Sequence, residues 1–424
     1  MAANCGVVGG AAKCLRAMDL RNRGRHRGRR PHNSRPVRHW PFYLSNLAWN
    51  YSLGVGFIAV PLYASALGLS AGEIGTLLSA PVLAQMVLGL LGGALVDRLG
   101  GRRVLSAACS FMLIGGIALV FAQGFWGLVL GQCLIVISRS SFWPSSWMLA
   151  STMPEPRKVF GRFNAVVNSG QIIGTASAGF ILAAGGFKAA FATLAALAAV
   201  ALAVSLKLPS TARRAGGIEA VLRGYRELLS NRVIYFAVYS SFLSALPLAL
   251  STSFYPLLLE QLGFAADASG LLISARAVGA VAGGIVLARW VHTGARSVWS
   301  AAWAVVTGAS AALLPLCGNA PEILVLLLIA GAASIAVGIY SQVLMTEATP
   351  LEQRGLASGL TSQGWVLSLL LVPIAMGLIA DRWGLATAFY AIGSLYMALG
   401  VAARPLNCWA YADRRSTLQQ QRME

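Results

Sequence analysis

"PLYASALGLSAGEIGTLLSA" (61–80) lies over "PLLLEQLGFAADASGLLISA" (256–275) at an offset of 195, with Pro, Leu, Leu, Gly, Ala, Gly, Leu, Ser and Ala recurring in register. Two further anchors keep nearly the same offset. "GFILAAGGFKAAF" (179–191) matches "GLIADRWGLATAF" (377–389) at 198, and Glu155 and Arg157 correspond to Glu352 and Arg354 at 197. The chain is therefore written twice, and the material repeated is apolar: of 424 residues 57% are hydrophobic and only 11% charged, with mean hydropathy +0.68. A water-soluble domain carries about 25% charged residues, so a soluble enzyme is excluded on composition.

Each spanning helix takes roughly 20 apolar residues, and hydropathy places spans near 42–66, 74–96, 104–123, 126–150, 163–184, 188–207, 234–259, 269–290, 298–316, 322–346, 357–380 and 385–403. Alternating ten-residue segments for a barrel are missing, so the spans are helical. The reading is an all-α membrane protein with 12 transmembrane helices in two pseudo-symmetric six-helix bundles. Its parts are a basic tail (1–40), one bundle (41–207), a linker (208–232), a second bundle (233–403) and a short tail (404–424).

Charge orients the bundles. Of the 33 Lys and Arg residues, all but Lys188, Arg382, Arg139 and Arg276 fall in the tails or in connectors on one side of the membrane. Short-loop enrichment in Lys and Arg marks the cytoplasmic side. Both termini are thus expected in the cytoplasm, in a multi-pass protein of the inner (plasma) membrane. The +19 net charge is then a topology signal. "RNRGRHRGRR" (21–30) reads as a solvated tail near anionic headgroups, since no aromatic residue interleaves it, and no nucleic-acid partner is expected. No apolar signal-peptide core precedes residue 40. In the linker, Ile218, Val221, Leu222, Tyr225, Leu228 and Leu229 share one helical face, the pattern of a helix lying on the inner membrane surface.

The six cysteines are scattered with no Cys-x-x-Cys pair, and the four histidines all lie outside the spans. No metal, cofactor or catalytic constellation is expected, which leaves a membrane-embedded enzyme without a mechanism. Two similar bundles can enclose a site at mid-membrane and rock about it, so the repeat favours a transporter over a channel.

The connector after the second span reads "GALVDRLGGRRVL" (93–105) and resembles the cytoplasmic signature of the major facilitator superfamily, Gly-x-Leu-x-Asp-Arg-x-Gly-x-Arg-Arg, through Gly93, Leu95, Asp97, Arg98, Gly100, Arg102 and Arg103. The resemblance implies that Gly93, Asp97, Arg98, Gly100, Arg102 and Arg103 form a conformational latch, with Asp97 capping or pairing with cytoplasmic helix ends. The corresponding stretch of the second half has Ala288 in place of Asp97. In the fifth span Gly161, Gly170, Gly174 and Gly179 resemble the glycine pattern of antiporters in that family, with Thr175 and Ala178 departing from it. The family architecture further implies that spans 1, 4, 7 and 10 line a central cavity, flanked by 2, 5, 8 and 11.

Buried charge points to the cargo. An Arg at mid-span costs roughly 2.5–3.5 kcal/mol on insertion scales, so Arg139 and Arg276 should face a cavity or a partner. Gln132, Arg139 and Trp143 share a helical face, where Arg139 could hold a carboxylate or phosphate bidentately and Trp143 could cover an apolar portion. Either arginine could equally satisfy backbone carbonyls or bridge helices. Asn46 and Asn50 on span 1, Tyr239 on span 7 and Tyr340 on span 10 complete the candidate substrate-binding set. All 14 Asp and Glu residues lie in tails, connectors or span ends, so protons or a counter-anion would couple through a residue near a lip, such as Glu260. The function expected is export of an amphipathic drug or metabolite by alternating access. The alternatives are uptake or exchange of an organic anion and, more remotely, a non-transporting receptor. Two fused halves predict a working monomer whose partners are the small organic solute and the lipid bilayer.

Overall fold

The computed structural model describes residues 39–209, 218–287, 296–350 and 353–411. These contain fifteen α-helices, one short 3-10 turn and no strand. The described residues from Pro41 to Tyr411 form one compact unit.

The first half is built from α1 (Trp40–Ala66), α2 (Ala71–Ser79), α3 (Val82–Leu99), α4 (Gly101–Val120), α5 (Phe125–Thr152) and α6 (Pro156–Ser205). A linker helix α7 (Ile218–Leu228) follows. The second half comprises α8 (Arg232–Ser244), α9 (Leu246–Ser251), α10 (Tyr255–Gln261), α11 (Ala266–Leu287), α12 (Arg296–Leu313), α13 (Ala320–Ala348), α14 (Arg354–Trp383) and α15 (Leu385–Ala410).

Elements and crossings do not correspond one to one, and proline and glycine explain why. The second crossing is interrupted at Pro81, which lacks the N–H to continue the ladder, so α2 and α3 share it. Pro247 and Pro256 divide the seventh into α8, α9 and α10. Conversely, an apolar stretch of 48 residues, Lys158–Ser205, runs without a gap within α6. At 1.5 Å per residue it would be about 72 Å long, over twice the ~30 Å hydrocarbon core. Gly186, at φ 67°, breaks it into two crossings. The eleven apolar helices among the described residues thus supply twelve crossings.

The sequence repeat is also a repeat of backbone geometry. Gly68 (φ 77°) and Gly263 (φ 87°) end the crossings before α2 and α11. Around them the same hydrogen bonds recur 195 residues apart: Leu67 to Tyr63 and Leu262 to Leu258, Gly68 to Ser65 and Gly263 to Glu260, Leu69 to Ala64 and Phe264 to Leu259. Only glycine adopts this φ without strain. Helix packing repeats as well. α4 packs on α5 and α6 as α12 packs on α13 and α15, and the halves meet where α2 and α3 face α14 and where α6 faces α11.

These inter-half contacts are backbone-close at the end of the bundle opposite the linker helix. Gly75 abuts the Pro373 carbonyl, Gly377 the Ala71 carbonyl and Gly179 the Ala266 carbonyl. A side chain at any of them would separate the helices. That end is shut in this structure.

Candidate functional site: a cavity between the halves

A cavity of about 30 Å³, room for about two waters, lies where the halves meet. Most of its lining residues are apolar, with Leu53 and Phe57 of α1, Met112 of α4 and Ile135 of α5 on one side and Leu369 and Pro373 of α14 on the other, while polar atoms supply the larger share of the surface they expose to it. Three polar side chains reach it: Gln132 and Arg139 of α5, and Thr252 at the break between α9 and α10.

Arg139 is 7% exposed. Its guanidinium carbon lies 5.8 Å from the ring centroid of Trp365 on α14, across the inter-half boundary. A cation over an indole face gains from the ring quadrupole, more so away from water. Among the described residues no carboxylate lies within ion-pair distance of Arg139. Trp365, absent from the sequence-derived set, is the aromatic partner of Arg139, although like Trp143 it is not among the cavity-lining residues.

Trp143 lies elsewhere. It sits in an aromatic cluster with its ring edge-on to Trp49 (6.5 Å), Phe142 (5.4 Å) and Phe163 (6.4 Å), outside the cavity lining. The helical-face argument thus joins Gln132 to Arg139 but does not bring Trp143 to the cavity. Trp49 stacks on Phe142 at 3.7 Å and donates from Nε1 to Ser138 Oγ (2.9 Å), which donates onward to the Ala108 carbonyl (2.6 Å).

Asn46 and Asn50 are fully buried on α1. Asn46 Oδ1 accepts from Ser146 of α5 at 2.9 Å and its amide donates to the Phe42 carbonyl, so it ties α1 to α5. Asn50 donates to the Asn46 carbonyl, while its Oδ1 has no partner. Tyr239 donates to the Leu399 carbonyl and Tyr340 to Asn407 Oδ1, so both phenols reach α15 at the rim of the second half and neither lines the cavity. Arg276 on α11 is 8% exposed, lies within electrostatic reach of Tyr255 and leaves Nε unpartnered; it too is outside the lining.

The span-5 glycines divide by environment. A Cβ on Gly170 would meet the Leu47 carbonyl at 2.7 Å, one on Gly174 would overlap the Tyr51 carbonyl, and one on Gly179 would overlap that of Ala266, whereas Gly161 faces open space. Three of the four are therefore required by close helix approach.

At the linker end, α3 closes on Gly100 (φ 88°), which also begins α4. Arg98 and Arg103 are exposed and Arg102 is half-buried. Gly93 belongs to α3. The Asp97 side chain, the centre of the expected latch, lies outside the described residues. The linker helix docks here rather than standing apart: Tyr225 donates to the Leu90 carbonyl of α3 (3.1 Å), and Glu227 accepts from Gln353 beside α14 (3.0 Å). Burial raises the Tyr225 phenol above its ordinary pKa, so it remains a donor at neutral pH. Of the apolar face expected on this helix, Leu228 is buried and Leu229 is exposed; the side chains of Ile218, Val221 and Leu222 lie outside the described residues.

Comparison with known proteins places this geometry in a family. The chain is 28% identical over 134 residues to the "Quinolone resistance protein NorA" of Staphylococcus aureus (strain MRSA252), covering 30% of this chain and 34% of that protein. It is 31% identical over 167 residues to the "Multi-drug resistance efflux pump PmrA homolog" of Lactococcus lactis subsp. lactis (strain IL1403), covering 37% of this chain and 40% of that protein. The matched segment thus spans only about a third to two-fifths of these relatives. Solved structures share the fold across nearly the whole chain. The nucleoside transporter NupG superposes with a TM-score of 0.74 at 13% identity, covering 87% of this chain and 99% of that one. A bacterial homologue of the lysosomal transporter Spinster, inward-facing and occupied, gives 0.72 at 14%, covering 90% and 99%. The D-xylose–proton symporter gives 0.68 at 17%, covering 86% and 95%. The family model described as Major Facilitator Superfamily matches residues 44–252 and again 238–423. This multi-pass membrane protein belongs to the Major Facilitator Superfamily of transporters.

Proposed function

We propose that this transporter exports amphipathic organic compounds from the cytoplasm across the plasma membrane by alternating access. The observation that carries the reading is the cavity, lined by apolar side chains from both halves around a few polar groups, among them Arg139, whose guanidinium is held over the Trp365 ring. Such a surface fits a ligand with an aromatic or aliphatic body and few polar groups, and the efflux relatives point the same way. At about 30 Å³ the cavity admits no organic solute as it stands. Loading therefore requires the halves to separate at the linker end while the opposite end stays shut. The Lys- and Arg-rich connectors at the linker end support a cytoplasmic placement for it, and with that placement the cavity loads from inside. Two bundles rocking about one site need no second subunit, and the working unit is a monomer.

The test is uptake of a fluorescent amphipathic dye into inverted membrane vesicles carrying the protein, with Arg139→Ala and Trp365→Ala as comparators. Wild-type accumulation that both substitutions reduce supports the reading; no accumulation above empty vesicles overturns it.

A second reading, exchange of organic anions, is favoured by Arg139 and Arg276 lying buried with no carboxylate in ion-pair range among the described residues. Counterflow of an anionic solute in proteoliposomes decides it, since unchanged affinity and rate in Arg139→Ala would remove the anion site.

A further inference from the structure

"GALVDRLG" (93–100) has a counterpart in "GLIADRWG" (377–384), Gly-x-(Leu/Ile)-x-Asp-Arg-x-Gly in both. The two stretches also end their helices alike. Gly100 (φ 88°) returns its N–H to the Val96 carbonyl, closes α3 and starts α4; Gly384 (φ 84°) returns its N–H to the Ala380 carbonyl, closes α14 and starts α15. In each, the Asp stands on the last helical turn. α3 completes the second crossing and α14 the eleventh, so the copies sit at opposite ends of the bundle.

The second copy is docked. Asp381 Oδ2 accepts the Gly72 N–H at 2.9 Å and the Ser70 hydroxyl at 3.2 Å, reaching from α14 of one half to the first turn of α2 in the other. That turn already has a capping box, in which Ser70 and Glu73 satisfy each other's backbone N–H. Asp381 therefore supplies an additional, inter-half cap on an N-terminus whose dipole favours an anion. The approach depends on a missing side chain, because a Cβ on Gly72 would overlap Asp381 Oδ2. One and two turns back along α14, Gly377 against the Ala71 carbonyl and the Pro373 carbonyl against Gly75 continue the same seam.

We propose that Asp381 is the latch that holds the non-linker end of the transporter shut. It is the counterpart, on the opposite face, of the role that family resemblance gives Asp97 at the linker end. Each of the two helices facing each other across the halves then ends in a carboxylate suited to the start of its opposite number, and rocking exchanges one cap for the other. The latch carboxylate is exposed, which suits a contact broken in every cycle rather than a permanent brace. This inference uses the proposed function only for the name of the face, and its test needs no substrate.

In cysteine-free full-length protein in lipid nanodiscs, spin labels at Gln123→Cys and Gly318→Cys report the distance between the two halves at the non-linker end by pulsed electron resonance. Asp381→Ala and, from the other partner, Gly72→Ala should each raise the separated population roughly two- to fivefold, the effect of removing one charge–dipole contact. Asp381→Asn should give an intermediate shift, since it keeps an acceptor without the charge. Unchanged distance distributions in both Asp381→Ala and Gly72→Ala, with monodisperse protein and parental melting, overturn the latch. A shift in protein that exports no dye leaves the latch standing and removes the export reading instead.

Discussion

Arg139 of α5 lies over the ring of Trp365 of α14, its guanidinium carbon 5.8 Å from the centroid, and so joins the two halves across the cavity that separates them. A charge at this depth costs a few kcal/mol to insert, and the indole face offsets part of that cost without neutralising the charge. The side chain is consequently held in place yet still able to meet a ligand, while the ring presents apolar surface beside it.

If the pair acts as one unit, its two substitutions will not be additive. Arg139→Ala is expected to lower dye transport at least about tenfold and Trp365→Ala less, with a coupling of about 0.5–2 kcal/mol between them in a double-mutant cycle. Initial rates over a concentration series in inverted vesicles measure it. Strictly additive losses would mean that the two side chains serve different steps.

The sequence contained the crossings because an apolar run of some twenty residues has no other stable use, and contained the repeat because Gly68 and Gly263 must take the same positive φ to end equivalent crossings. The breaks at Pro81, Pro247 and Pro256 follow from the missing N–H. The cavity was only half legible. Helical periodicity joins Gln132 to Arg139 because both stand on α5, but it cannot say that Trp143 turns into an aromatic cluster with Trp49 and Phe163. Nor can it find Trp365, whose meeting with Arg139 depends on how two separately folded bundles dock. The same holds for Asp381 and Gly72: each looks like an ordinary helix end until the other half is present.

The hydroxyl of Ser138 stands between a buried Trp49 N–H and the Ala108 carbonyl. Ser138→Ala removes it and leaves the indole donor unpaired, at a cost of about 1–3 kcal/mol in a water-soluble protein and about half a kcal/mol to 2 kcal/mol in a bilayer. A lowered midpoint in thermal melting of the detergent-solubilised protein is expected, with transport by the folded fraction unchanged because Ser138 is not among the cavity-lining residues. Because Trp49→Phe also opens a cavity in a fully buried site, the test is the double substitution: if the orphaned N–H is what matters, Ser138→Ala should lower the midpoint less in the Trp49→Phe background than in wild type.

Docking of the linker helix rests on the Tyr225 hydroxyl and the Leu90 carbonyl. Tyr225→Phe should cost about 1 kcal/mol and raise amide hydrogen exchange across Ile218–Leu228 without changing exchange in α3 itself. Burial raises the phenol's pKa in the docked state, so the undocked form ionises first as pH rises. The contact is therefore at full strength below pH 10, the ordinary phenol value, and weakens above it. Corrected for the intrinsic exchange rate, protection of the wild-type linker should exceed that of Tyr225→Phe at pH 7 and fall toward it above pH 10; equal protection in the two proteins at pH 7 would show that the hydrogen bond contributes nothing.

The glycines of the fifth crossing separate packing from any direct part in transport. Gly174 has the Tyr51 carbonyl and the Gly54 Cα (3.1 Å) where its Cβ would be, on rigid backbone that cannot rotate away, whereas Gly161 has nothing within 4 Å. Helix propensity alone favours Ala over Gly by about 0.8–1.0 kcal/mol at either position. At Gly161 nothing opposes that gain, so Gly161→Ala should leave melting unchanged or raise it. At Gly174 the overlap forces α1 and α6 apart, and overpacking costs typically about 1–3 kcal/mol, enough to reverse the sign. Gly174→Ala should thus melt lower than wild type and transport more slowly in proportion to the folded protein lost. Should Gly161→Ala abolish transport in protein that melts normally, the exposed glycine would have a role in the cycle that close packing does not explain.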